Sequence, residues 1–190
     1  LFSFVLLGTS GLPARFLHIF KKGKEQNSFI SLLFLVPLIA LFLLSLFFLG
    51  FNEQIISWLG DDALKYSNFL IYIIPVIVCY VYQYLIEAIL ATRSLIVFSS
   101  FMKSIYRRIV LIGLLLVFHF GFIDFFQLIF WYVVAHFIEV IILFLFFRSR
   151  CEFQFSSPKM YTTKENKKEI FSFAFYLIIG VSAVVMVGKI

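Results

Sequence analysis

Residues 28–50 read SFISLLFLVPLIALFLLSLFFLG, a run of 23 residues without a charged side chain. A helix of about 20 predominantly apolar residues crosses the hydrocarbon core of a bilayer, which is about 30 Å thick. Runs of the same character lie at about 2–18, 66–91, 105–122, 126–147 and 170–190. They are continuously apolar, whereas the strands of an outer-membrane barrel alternate over about ten residues. The sequence therefore predicts an all-α integral membrane protein, an antiparallel bundle of six transmembrane helices whose first and last members are cut by the chain ends.

The composition excludes an ordinary soluble domain. Hydrophobic residues make up 63% of the chain and charged residues 14%, against about 45 to 50% and about 25% in soluble domains. The formal net charge of +6 is interpreted as a topology signal, and no nucleic acid is expected as a partner. Cys79 lies in an apolar run and Cys151 beside a basic cluster, so a disulfide framework is not indicated.

Most of the positive charge falls in three clusters, separated by pairs of apolar runs. The clusters are Lys21, Lys22 and Lys24; Arg93, Lys103, Arg107 and Arg108; and Arg148, Arg150, Lys159, Lys164, Lys167 and Lys168. A chain that crosses the bilayer twice between clusters places all three on one side, and the positive-inside rule makes that side the cytoplasm. We therefore expect a multi-pass protein of the plasma membrane with cytoplasmic basic loops.

The longest polar connection, residues 148–168, divides the chain. It is basic and contains Pro158 near its centre, which is typical of a linker. The sequence predicts a first transmembrane bundle at 1–147, a cytoplasmic linker at 148–168 and the beginning of a second bundle at 169–190.

Ionisable residues within apolar runs are candidates for function, because a charge at the bilayer centre costs about 2.5 to 3.5 kcal/mol on insertion scales. Tyr132, His136 and Glu139 share one helical stripe. An imidazole beside a carboxylate can hold and pass a proton, so His136 and Glu139 are candidates for ion coupling. The alternative is a polar stripe that hydrogen-bonds to another helix.

A second polar stripe includes Glu87, about one turn from the predicted cytoplasmic end of its span. The other members of this stripe are Tyr80, Gln83 and Tyr84. Glu87 is a further candidate for ion coupling, and the alternative is a salt bridge to Arg93, Arg107 or Arg108.

Three arginines are candidates for binding an anionic substrate. Arg107 and Arg108 either anchor the topology or bind a phosphate, whose geometry suits the guanidinium fork. Arg15 follows GTSGLP (8–13), where glycine and proline interrupt an apolar run, and broken helices line transport cavities. The alternative for Arg15 is a side chain that extends to the lipid headgroups.

Signatures of soluble enzymes are missing from the sequence. It contains no Walker loop, HExxH, CxxC or GxSxG motif and no paired carboxylates at metal-ligand spacing. We therefore expect neither an enzyme nor a bound metal or cofactor.

Three segments together resemble the oligosaccharide flippase family, the polysaccharide-biosynthesis membrane proteins whose superfamily also contains multidrug extruders. These segments are LGTSGLPARFLHIFKKGKEQ (7–26), YQYLIEAILATRSLIVFSSFMKSIYRRI (82–109) and KKEIFSFAFYLIIGVSAVVMVGKI (167–190). The resemblance implies two six-helix lobes, of which this chain would run from the second helix to the start of the seventh.

The resemblance also implies a function: export of a lipid-linked oligosaccharide across the bacterial inner membrane by alternating access. Arg15, Arg107 and Arg108 would neutralise its pyrophosphate, and a coupling cation, H⁺ or Na⁺, would act through His136, Glu139 or Glu87.

Two other functions stay open at this point. An ion-coupled extruder of cationic drugs requires acidic residues in its cavity, and the chain offers mainly Glu87 and Glu139. A membrane enzyme of polysaccharide assembly would need a long outer loop or an embedded catalytic cluster.

Overall fold

The computed structural model describes residues 11–21, 23–51, 54, 67–157 and 164–187, and within them every regular element is a helix. The helices are α1 (Leu12–Phe16), α2 (Lys24–Gly50), α3 (Ser67–Thr92), α4 (Ile96–Phe101), α5 (Arg107–His119), α6 (Phe125–Cys151) and α7 (Lys164–Val187). A π-helical turn, Met102–Tyr106, joins α4 to α5 without a break. Residues 2–10 of the predicted first span, Lys22, Pro158 and Lys159 lie outside the described residues.

Three of the described helices are long and apolar enough to cross a membrane. These stretches are Lys24–Phe47, Tyr72–Thr92 and Phe125–Cys151. The shortest has 21 residues and is about 31 Å long at about 1.5 Å per residue, which matches the hydrocarbon core. The all-α prediction is confirmed for the described residues, and these three helices support a membrane-embedded, multi-pass protein.

The packed core lies between α2, α3 and α6, and the helix pair with the most extensive contact is α3 with α6. Its fully buried apolar side chains are Ile30, Leu33, Leu85, Ile86, Ile89, Leu90, Leu143 and Phe147. Large apolar side chains also cover much of the outside of the bundle, for example Val97 and Phe122, which are more than three-quarters exposed. Such a surface suits lipid, which solvates apolar side chains as well as a protein core does.

Hydrogen bonds bring three connections together at one end of the bundle. Arg93 donates from Nη2 to Oε1 of Gln26 at 2.6 Å, and Ser28 donates from Oγ to the carbonyl oxygen of Ser157 at 2.8 Å. The beginning of α2, the end of α3 and the segment after α6 therefore meet. We call this the basic end, formed by residues 21, 23–28, 93–95 and 148–157.

The connection that the predicted spans leave at 92–104 is much shorter in the structure. Only residues 93–95 separate α3 from α4, and Ser94 takes the left-handed conformation with φ 58°. The helix that was predicted to begin at 105 begins at Ile96. The prediction was wrong because Lys103 and Arg107 lower the hydropathy of the helix that contains them. Acidic residues on neighbouring helices neutralise both charges, so the helix forms nevertheless.

The opposite end of α5 turns tightly into α6, as the short FID sequence (122–124) indicates. Gly121 has φ 73°, a conformation that glycine adopts without strain. The backbone N–H of Asp124 donates to Oε1 of Gln127 at 3.0 Å, so a backbone donor is satisfied where α6 begins. Helices α5 and α6 are therefore antiparallel neighbours.

Candidate functional site

A group of polar side chains is buried where α3, α5 and α6 meet. We call it the central polar cluster, and its members are Tyr80, Gln83, Arg107, Tyr132, His136 and Glu139. Gln83, His136 and Glu139 are each at most 2% exposed. The two polar stripes that the sequence predicts, one on α3 and one on α6, thus face each other, and Arg107 of α5 lies against both.

An ion pair forms the centre of this cluster. Arg107 donates from Nε to Oε2 of Glu139 at 3.3 Å and from Nη2 to Oε1 at 3.1 Å. This two-point contact fits the guanidinium fork to the carboxylate. The carboxylate side chain is 1% exposed and the arginine side chain 20%, so the pair is largely removed from solvent.

Gln83 completes the hydrogen bonding of the ion pair. Its Nε2 donates to Oε1 of Glu139 at 2.7 Å, and its Oε1 accepts from Nη2 of Arg107. The amide therefore holds both charged groups and ties α3 to α5 and α6. Such bonds match the interhelical role that was the alternative to ion coupling.

Aromatic rings enclose the ion pair and His136. The guanidinium carbon of Arg107 lies 4.9 Å from the ring centre of Tyr80, within the range of a cation–π contact. The imidazole centre of His136 lies 4.4 Å from the ring of Tyr132 and 5.3 Å from that of Tyr80. Tyr80 thus contacts both Arg107 and His136 and links the ion pair to the imidazole.

His136 presents a proton-accepting atom. Its Nδ1 lies 3.0 Å from the carbonyl oxygen of Tyr132, and since a carbonyl oxygen only accepts, Nδ1 carries the hydrogen. Its Nε2 is buried and has no hydrogen-bond partner among the described residues. A neutral ring in this tautomer has a lone pair at Nε2.

The central polar cluster lies far from the basic end. Gln83 is nine residues from the end of α3, Arg107 eleven from the start of α4, and Glu139 twelve from the end of α6. At about 1.5 Å per residue these separations are roughly 14 to 18 Å, about half the thickness of the hydrocarbon core. The cluster thus lies near the middle of the membrane-length helices.

This depth corrects the prediction for Arg107, which was expected in a cytoplasmic turn. Arg107 and Glu139 are each 16 residues from Ile123 in the tight turn, and residues equally far from the turn of an antiparallel helix pair lie at the same height. That symmetry was available in the sequence and would have predicted the pairing.

Glu87 also has a different partner from those expected. Its Oε2 accepts from Nζ of Lys103 at 3.2 Å, whereas the sequence suggested Arg93, Arg107 or Arg108. The ammonium group also lies 4.5 Å from the ring centre of Tyr84. This second ion pair lies between the central polar cluster and the basic end.

The other two candidate arginines lie outside the cluster. Arg108 follows Arg107 on α5, but its side chain is exposed. Arg15 of α1 donates from Nη2 to Oε1 of Glu169 on α7 at 2.9 Å, and both side chains are about half exposed. Its guanidinium carbon lies 4.5 Å from the ring centre of Phe173, so Arg15 joins α1 to α7.

We expect Gln83→Leu to lower the free energy of unfolding by about 1 to 3 kcal/mol, because Arg107 and Glu139 each lose a buried hydrogen bond. The measurement is thermal unfolding of the purified protein in detergent. Ser45→Ala is the control, since the hydroxyl of Ser45 donates only within its own helix, to Leu41 at 2.8 Å. Equal stability of the two variants would contradict a structural role for Gln83.

Comparison with known proteins yields no matching family model, no matching curated protein and no matching solved structure. No group of three or more His, Cys, Asp or Glu residues in the described part of the chain could hold a metal ion. The class that fold and site define is therefore a multi-pass helical membrane protein with a buried ion pair halfway along its helices.

Proposed function

We propose that this chain forms most of the first lobe of a bacterial inner-membrane transporter. Its substrate would be a polyprenyl-pyrophosphate-linked oligosaccharide, and its mechanism alternating access rather than an enzymatic reaction. The observation that carries the proposal is the Arg107–Glu139 pair, buried near the middle of membrane-length helices. Ionisable groups at that depth are costly and commonly mark the pathways of substrates and ions. The substrate class comes from the three segments that resemble oligosaccharide flippases.

Glu139 and an anionic substrate would compete for Arg107. Pyrophosphate oxygens satisfy the guanidinium fork in the same two-point geometry as the carboxylate does. While Glu139 is ionised it occupies Arg107. A proton on Glu139 removes the opposing charge and leaves the guanidinium available to the substrate.

His136 would act on the same proton. It lies three residues before Glu139 on α6, and its Nε2 is without a hydrogen-bond partner in the described part of the chain. A proton that leaves Glu139 thus has an acceptor on the same helix face. The proposal therefore favours H⁺ as the coupling cation over Na⁺, because carboxylate oxygens are scarce around this site.

Two of the remaining candidate residues, Arg15 and Glu87, would act nearer the entrance. The positive-inside rule makes the basic end cytoplasmic, so the Glu87–Lys103 pair would lie between the cytoplasm and the central polar cluster. Arg15, whose side chain is exposed, would attract the pyrophosphate before it reaches Arg107. Arg108 follows Arg107 on α5 and would therefore act at the same depth, from an exposed side chain.

Deletion of the gene tests this proposal. We expect the deletion strain to lose surface polysaccharide and to accumulate the lipid-linked oligosaccharide in the inner leaflet, since its synthesis continues without export. Normal surface polysaccharide would contradict the proposal.

A multidrug extruder of the same architecture is the second candidate, because Glu139 is a buried acid near the middle of the bundle. Arg107 already neutralises that acid, which makes the site unfavourable for a cationic drug. Increased drug sensitivity of the deletion strain, with normal polysaccharide, would favour the extruder.

A further inference from the structure

A second site lies at the basic end, away from the central polar cluster. It is a cavity of about 880 Å³ between α1, the first turn of α2 and the last turns of α3 and α6. This volume falls within the range of about 300 to 1,000 Å³ that is usual for small-molecule sites. None of the six cluster residues lines it, so its occupant is separate from the ion pair.

The charged lining of this basic-end cavity is positive. Arg93 and Arg150 line it together with His18, and no acidic residue in the described part of the chain lines it. The guanidinium carbon of Arg150 lies 5.9 Å from the ring centre of Phe146, which keeps this exposed side chain near the cavity wall. The cavity therefore favours an anion.

A buried amide fixes one of these cations in place. Gln26 is 8% exposed, and its Nε2 donates to the carbonyl oxygen of Leu17 at 3.1 Å. Its Oε1 accepts from Nη2 of Arg93 at 2.6 Å. Because both ends of the amide are engaged, the guanidinium is held at the cavity wall, and it has further N–H donors for a ligand.

The rest of the lining is small and mostly apolar. Leu17, Ala88, Ala91 and Leu95 form much of it, which suits a ligand with an apolar body beside its charged group. The cavity also lies at the end of membrane-length helices, at the depth where lipid headgroups are found. A water-soluble anion would gain little from this apolar surface.

We propose that the basic-end cavity binds the phosphate-bearing headgroup of an anionic phospholipid. Arg93 and Arg150 contact the phosphate, and Gln26 is the residue that positions Arg93. Basic pockets between transmembrane helices on the cytoplasmic side bind such headgroups. This site is independent of the transport proposal, because a phospholipid that binds here stabilises the bundle whatever its function.

Native mass spectrometry of the detergent-purified full chain tests this inference with phosphatidylglycerol and phosphatidylcholine as probes. We expect phosphatidylglycerol to bind at least about tenfold more tightly, and the Arg93→Gln/Arg150→Gln variant to lose about that factor, as expected for charge-assisted hydrogen bonds. Arg148→Gln is the control, since Arg148 lies on the same helix end but does not line the cavity; it should bind normally.

Arg150→Gln alone is tested in case the double variant fails to fold. Because Arg150 is exposed, this single variant should fold normally, and its affinity for phosphatidylglycerol should still fall. Equal affinity for the two lipids, or unchanged affinity in the Arg150 variant, would overturn the inference. Displacement of the lipid by millimolar inorganic phosphate would instead assign the cavity to a free anion. If polyprenyl pyrophosphate displaced bound phosphatidylglycerol at a concentration below that at which phosphatidylglycerol itself binds, the cavity would be assigned to polyprenyl pyrophosphate.

Discussion

Replacing Glu139 with leucine is expected to destabilise the protein by about 3 to 5 kcal/mol, because the guanidinium of Arg107 loses its counter-ion while it stays buried. The carboxylate is 1% exposed and makes two contacts with the arginine, so little solvent can compensate. Unfolding of the purified protein in detergent, followed by circular dichroism, measures this loss.

The double variant Arg107→Leu/Glu139→Leu separates structure from function. Apolar residues often replace a buried ion pair without loss of stability, so we expect the double variant to be more stable than Glu139→Leu and close to the wild type. Its transport should nevertheless be lost, because both the phosphate ligand and the proton site are gone. Normal transport by a stable double variant would show that the ion pair has no role in transport and is only a structural contact.

Glu87→Leu is the matched control for the single substitution. It removes the carboxylate of the second ion pair, whose side chains are 18% and 35% exposed. The remaining Lys103 is less buried than Arg107, whose side chain is 20% exposed, and it lies closer to the basic end, toward which its ammonium group can extend. We expect a smaller loss of stability than for Glu139→Leu. An equal loss would contradict the special burial of the Arg107–Glu139 pair.

Charge reversal at Arg15 is expected to abolish export of surface polysaccharide while the protein still inserts into the membrane. The Arg15–Glu169 pair is about half exposed, and exposed pairs contribute only about 0 to 1 kcal/mol. A large loss of polysaccharide from Arg15→Glu, with a normal amount of protein in the membrane, would therefore point to a role in export rather than to unfolding. The measurements are the amount of surface polysaccharide and the amount of protein in the membrane fraction.

Two further variants show what Arg15 does. Arg148→Glu reverses another exposed charge at the basic end and should leave export unchanged. Arg15→Glu/Glu169→Arg restores an ion pair between α1 and α7 but not the positive charge at residue 15. Recovery of export in this swapped variant would show that Arg15 acts through Glu169 rather than on the substrate.

Hydropathy was sufficient to predict the helices whose own sequences contain few charged residues. The predicted spans 28–50, 66–91 and 126–147 correspond to α2, α3 and α6 within about four residues at each end. Each is continuously apolar over a membrane thickness, so its local sequence alone favours a spanning helix. Tertiary contacts were not needed for these three predictions.

Hydropathy was insufficient where charges are neutralised by other helices. Lys103 and Arg107 made residues 96–104 look like a loop, although Glu87 and Glu139 pair with them inside the bundle. The free-energy cost of burying Lys103 depends on Glu87, 16 residues away, and that of burying Arg107 depends on Glu139, 32 residues away. The sequence predicted that His136 and Glu139 lie on the same side of one helix. It did not predict that Arg107 would contact this side.

The most direct test of the transport proposal is translocation by the full-length protein in proteoliposomes. A fluorescent lipid-linked oligosaccharide is placed in the inner leaflet, and its appearance outside is followed with an external quencher under an imposed proton gradient. We predict that the wild type moves the lipid faster than protein-free liposomes do and that Arg107→Leu/Glu139→Leu does not. Equal rates for wild type, double variant and protein-free liposomes would contradict the proposal.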